Sequence, residues 1–70
     1  MIKVAVLESE WEAQLLEAVL RDMEIPYLIK SFHDSAYDGL FQSTLGWGSV
    51  YALPVYKDEI LNYITDIRKS

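Results

Sequence analysis

The order of apolar and polar positions divides the chain into five blocks and one stretch without a period. Residues 2–7 are apolar and rich in β-branched side chains, with Lys3 the only polar member, the pattern of a largely buried strand. From Glu10 the spacing becomes helical. Trp11, Leu15, Val19 and Met23 fall on one row with Leu16 and Leu20 beside them, while Glu10, Glu17, Arg21 and Glu24 take the other side, which predicts a broad apolar stripe facing a core. Ser9 stands three residues before Glu12 and makes a capping-box start. Glu10 and Glu12 in the first turn also suit the helix dipole. The helix must stop near Ile25, because the residue before a proline is pushed out of helical geometry. Residues 27–32 read as a second strand and residues 49–56 as a third. Asp58 is placed to cap a last helix, in which Ile60, Ile64 and Ile67, with Leu61 and Tyr63, again repeat at helical spacing.

A strand, a helix and a second strand form a right-handed crossover between parallel strands. The third strand inserts most simply between them, antiparallel to both, and both helices then cover one face. The expected fold is therefore α+β, in the order β-α-β-β-α. It is a ferredoxin-like split βαβ arrangement with a three-stranded sheet, and it fills the chain as one domain, residues 1–70.

Between the second and third strands, residues 33–47 lose all periodicity and fill with turn formers. Connections of that length in so small a domain are usually functional or disordered, and Tyr37, Phe41 and Trp47 argue against disorder. Two readings stay open. In one, the segment recognises a ligand or partner, with Tyr37, Phe41 and Trp47 as aromatic anchors, Asp38 and Gln42 as orienting groups and His33 at its start. In the other it folds back as a lid, with Phe41 and Trp47 plugging a small core.

Composition removes several classes of function. With 70 residues and no cysteine, the chain has neither disulfides nor thiolate metal sites nor a cysteine nucleophile. A domain this small needs good packing or a partner copy for stability. A net charge of −5 with only six basic residues speaks against nucleic acid and against an anionic membrane surface. No export signal is legible, so the expected location is cytoplasmic. His33, Asp34 and Asp38 match no metal signature. The three glycines fit neither a dinucleotide fingerprint nor a phosphate loop, and a single histidine leaves no base-and-orienter pair for a nucleophile. No cofactor and no metal are expected. A non-catalytic module is expected ahead of an enzyme.

Several of these residues also form a family pattern. An opening strand, an acidic helix start with Trp11, Glu12, Ala13 and the pair Leu15, Leu16, a helix end at Met23, Glu24, Ile25, Pro26, and a third strand running into a helix from Leu53, Pro54, Val55 to Glu59 cover nearly the whole chain. In this it resembles the small bacterial family of prokaryotic signal-transducing proteins, a domain of unknown function. That family is similar in fold to the nitrogen-regulatory PII proteins, ferredoxin-like trimers that bind nucleotide between subunits and touch targets through the loop between strands two and three. The resemblance implies a regulatory role, with residues 33–47 in the place of that loop. Two departures stand out. Glu24 replaces the glycine often found before the Ile-Pro pair, and the sequence offers no fourth strand and no recognisable nucleotide site.

The resulting expectation is a regulatory or interaction module that binds a partner protein or small ligand through residues 33–47. The alternatives are a small enzyme with a site shared between subunits and a purely structural oligomer subunit. A homo-oligomer is expected, because whichever alternate set of strand side chains faces away from the helices reads as mostly apolar, and because the first strand would be an open edge.

Overall fold

The computed structural model of the protein describes residues 1–32 and 46–69. It contains β1 (Ile2–Leu7), α1 (Glu10–Asp22), β2 (Leu28–Ser31), β3 (Gly48–Ala52) and α2 (Lys57–Lys69), with a short 3-10 turn over Pro54–Tyr56. The strands form one sheet in the order β1-β3-β2, with β3 antiparallel to both neighbours. This is the α+β split βαβ order expected from the sequence. The two flanking strands are parallel to each other and the crossover helix lies between them in sequence.

Local chemistry sets the boundaries. Ser9 is extended and its hydroxyl accepts the Glu12 amide at 3.1 Å, so α1 begins where the capping box places it. At its other end the Glu24 amide donates to the Arg21 carbonyl and the Ile25 amide to the Leu20 carbonyl. This is a Schellman closure, with Ile25 and Leu20 joined in the core. Such a closure requires a left-handed residue, and Glu24 fills it with φ 59°. A side chain there costs roughly 1–2 kcal/mol that glycine avoids, partly offset by the unfolded-state freedom glycine adds. Glu24→Gly is expected to stabilise the fold by about 0.5–1 kcal/mol, a rise of about 4–8 °C in Tm per kcal/mol for a domain of this size. A differential scanning calorimetry comparison with wild type measures it.

Several boundaries differ from expectation, β2 running Leu28–Ser31 rather than 27–32 and β3 starting at Gly48 rather than 49. β3 ends at Ala52 rather than at residue 56, because Leu53–Pro54 starts the 3-10 turn with proline in its first turn. Asp58 accordingly is not the cap of α2. It sits with Glu59 inside the first turn, where its charge still suits the dipole.

The core lies between the helices and one face of the sheet. Leu7, Leu16, Leu20, Val50, Ala52 and Ile60 are wholly buried, with Val4, Ala13, Ile25 and Ile64 nearly so. On α1 the buried positions are Glu12, Ala13, Leu16 and Leu20. Trp11 and Met23, expected on the apolar stripe, are 62% and 50% exposed. The stripe is rotated toward Ala13, which is buried beside Leu16 and Leu20.

The pairing of β1 with β3 breaks register between Lys3 and Ala5. Val4 enters the core and Ala5 packs against it, so consecutive residues turn to one side. Directly opposed residues share a face. The helix-facing set is therefore Ile2, Val4, Ala5 and Leu7 with Ile29, Val50 and Ala52. The outer face carries Lys3, Tyr51 and Leu28 in one cross-strand row and Val6, Ser49 and Lys30 in the next. That face is half polar, not mostly apolar as strict alternation predicts.

Candidate functional site

The segment expected to carry recognition falls largely outside the described residues. His33, Tyr37, Asp38, Phe41 and Gln42 lie there, and so does Asp34. Trp47, the remaining candidate, is described. Its amide donates to the Leu7 carbonyl at 2.7 Å and its carbonyl accepts the Phe32 amide at 2.9 Å. One residue therefore ties the end of β1 to the end of β2 just before β3 begins. Gly46 precedes it with φ 125°, and Gly48 follows where a Cβ would lie 2.4 Å from the Lys30 carbonyl oxygen. The indole itself is half-buried and packs against the core, as the lid reading expected of this residue.

Trp47 also lines an open cleft of about 280 Å³. One wall is the solvent-side margin of α1, where Glu10, Ala13, Gln14 and Glu17 come together at helical spacing. The other is Ile29 of β2 and the indole of Trp47. Among the described residues the polar groups of the lining are two carboxylates and one amide, beside the apolar Ala13, Ile29 and Trp47.

Glu17 is held at its rim by a network with Tyr27 and Arg21. The Tyr27 hydroxyl donates to Glu17 Oε2 at 2.7 Å, and Arg21 donates to the same oxygen at 3.1 Å and to the Tyr27 hydroxyl at 3.1 Å. Burial and the bond to Glu17 push the Tyr27 phenol above its usual range, and the bond to Tyr27 raises the Arg21 guanidinium. Among the described residues the lining has no hydroxyl, thiol or imidazole. Its described groups offer carboxylate and amide oxygens as hydrogen-bond acceptors beside the Trp47 side chain.

A second polar cluster joins distant parts of the chain. Arg68, in the last turn of α2, grips the carboxylate of Glu12 with a fork, Nε to Oε2 at 2.8 Å and Nη2 to Oε1 at 3.0 Å, and Nη2 also donates to the Val6 carbonyl at 3.1 Å. Glu12 Oε1 accepts the Glu8 amide at 2.9 Å. The Arg68 hydrogen bond holds the Glu12 carboxyl below the usual range, against the upward push of burial. The sequence showed Glu12 as a dipole-stabilising residue and gave no sign of Arg68, which lies 56 positions away. The capping box was the one hint, since it turns the Glu12 side chain back toward the end of β1.

Among the described residues no group of three or more His, Cys, Asp or Glu side chains could hold a metal ion, and no helix is long and apolar enough to cross a membrane. Comparison of the chain with known protein families, with curated proteins and with solved structures found no match.

Proposed function

We propose that this chain is a non-catalytic binding module whose recognition surface is the cleft between α1 and Trp47. The observation that carries the reading is the composition of the cleft. The indole of Trp47 and the aliphatic side chains of Ala13 and Ile29 line it together with Glu10, Gln14 and Glu17, which present oxygen acceptors. A cationic group that donates several hydrogen bonds fits both features. The aromatic face attracts the charge, and carboxylates make the stronger class of hydrogen bond to it. The occupant is a small amine or guanidinium compound, or an arginine or lysine side chain of a partner protein. A regulatory role, as the family resemblance implies, is compatible with such a module because binding at this surface needs no chemistry from the chain.

Trp47 makes the reading testable by fluorescence. The chain has two tryptophans, and Trp11 is exposed on the other flank of α1, so Trp11→Phe leaves Trp47 as the sole indole reporter. Titration with a panel of amine and guanidinium compounds and short arginine peptides is expected to shift Trp47 emission saturably for at least one of them. Glu10→Gln is expected to weaken that binding by about tenfold, the value of one charge-assisted hydrogen bond at the low end of its range. No saturable change with any member of the panel, in a protein whose circular dichroism is native, removes the cationic-ligand reading.

A further inference from the structure

We propose that Arg68 closes the outer edge of β1 against pairing with a second copy of this chain. Among the described strands β1 lies at an edge of the sheet. The Leu7 carbonyl takes the Trp47 amide, so the peptide groups of Leu7 turn toward β3. In an antiparallel ladder successive residues point their backbone groups to opposite sides, which aims the amide and carbonyl of Val6 out of the sheet. Arg68 Nη2 occupies that carbonyl at 3.1 Å.

The guanidinium is not free to leave it. Glu12, itself 5% exposed, holds two of its nitrogens, and Glu8 Oε2 lies 3.9 Å from Nη2. The end of α2 is thereby strapped across the edge at the place where a fourth strand would join.

The occupant kept out is β1 of a second copy, because this strand is complementary to itself. It is apolar and β-branched with a single charge, the composition that makes an open edge a template for pairing. Antiparallel pairing centred between Val4 and Ala5 sets Lys3 opposite the second copy's Val6, so the two lysines do not oppose each other. Charged side chains at an edge are one of the ways proteins block this pairing, and here the charge is positioned by a carboxylate instead of by the strand's own sequence.

Mass measured by light scattering from low to several hundred micromolar tests the lock, at physiological salt so that the net charge is screened. Arg68→Met is expected to raise the mass with concentration, to at least double that of wild type at the top of the range. Arg68→Lys, which keeps the charge but cannot fork Glu12 and reach Val6 together, is expected to fall between. Methylation of the Val6 backbone nitrogen in the Arg68→Met chain, introduced by chemical synthesis, removes the outward donor and is expected to restore the wild-type mass. If Arg68→Met does not fold, Arg68→Gln gives the same readout, since its amide keeps a donor for Glu12 and leaves the Val6 carbonyl bare. A folded variant with the wild-type mass throughout overturns the proposal. Association that persists after Val6 methylation also overturns it, because the contact is then elsewhere.

Discussion

Gly48→Ala is expected to remove a large part of the stability of this domain. Gly48 opens β3 opposite Ser31 of β2 and opposite Leu7 of β1. A Cβ built there lies 2.4 Å from the Lys30 carbonyl oxygen and 3.0 Å from Ser31 Cα. These atoms are backbone, so no side chain can rotate away, and relief requires β2 to move off β3. Overpacking a tight interior costs roughly 1–3 kcal/mol and occasionally more, and a backbone clash inside a ladder belongs at the upper end. A chain of this length has only about 3.5–10 kcal/mol in total. The denaturant midpoint is expected to drop steeply, with the slope m unchanged if the native fold survives. Ala18→Gly, at an exposed position in the interior of α1, is the matching control and is expected to cost only about 1 kcal/mol. An unchanged midpoint for Gly48→Ala would show that β2 and β3 are not in the contact described.

The two glycines also explain why Trp47 was easier to notice than to interpret. From sequence, glycine on both sides of a tryptophan at the end of a long aperiodic segment looks like a recognition loop. In the fold each glycine answers a separate demand. Gly46 has a backbone conformation that side chains rarely adopt, and Gly48 has no room for a Cβ. The tryptophan between them is a tie between β1 and β2 as well as a wall of the cleft. A single residue can serve both the lid and the binding reading, and the spacing of glycines does not separate them.

Elements whose signals are local were legible. Ser9 and Glu12 mark the start of α1, Pro26 forces its end, and the strand-helix-strand order with a third strand dictates β1-β3-β2. Features that depend on pairing were not. The register break at Val4 follows from how β1 meets β3, and nothing in the run from Ile2 to Leu7 distinguishes Val4 from Val6. The Glu12–Arg68 fork joins residues 56 apart, and each of them alone reads as an ordinary surface charge at a helix end. Of the residues that line the cleft, Trp47 is the one that the sequence singles out as a candidate. The α1 wall of Glu10, Gln14 and Glu17 looked like the solvated side of an amphipathic helix, which it is, and becomes a cleft only because Trp47 and Ile29 stand beside it.

The phase of α1 supplies the second large effect. Leu16→Ala is expected to cost about 2–5 kcal/mol, whereas Trp11→Ala is expected to stay within about 0.5 kcal/mol of wild type. The sequence places both residues on the apolar stripe, and by size alone the tryptophan carries more apolar area. The fold reverses that ranking. Leu16 is wholly buried in the same cluster as Leu7, Val50 and Ile60, while Trp11 is 62% exposed. Truncating Leu16 leaves a cavity between helix and sheet that rigid neighbours on both sides cannot close, so the loss includes both transfer and cavity terms. Truncating Trp11 removes area that water already reaches. The buried apolar positions of α1 are Ala13, Leu16 and Leu20, and that phase leaves Trp11 outside. Urea titrations of the two variants read the difference directly. A larger loss for Trp11→Ala than for Leu16→Ala would return α1 to the phase that hydrophobicity alone suggests, and would place the Glu10–Gln14–Glu17 wall away from Trp47.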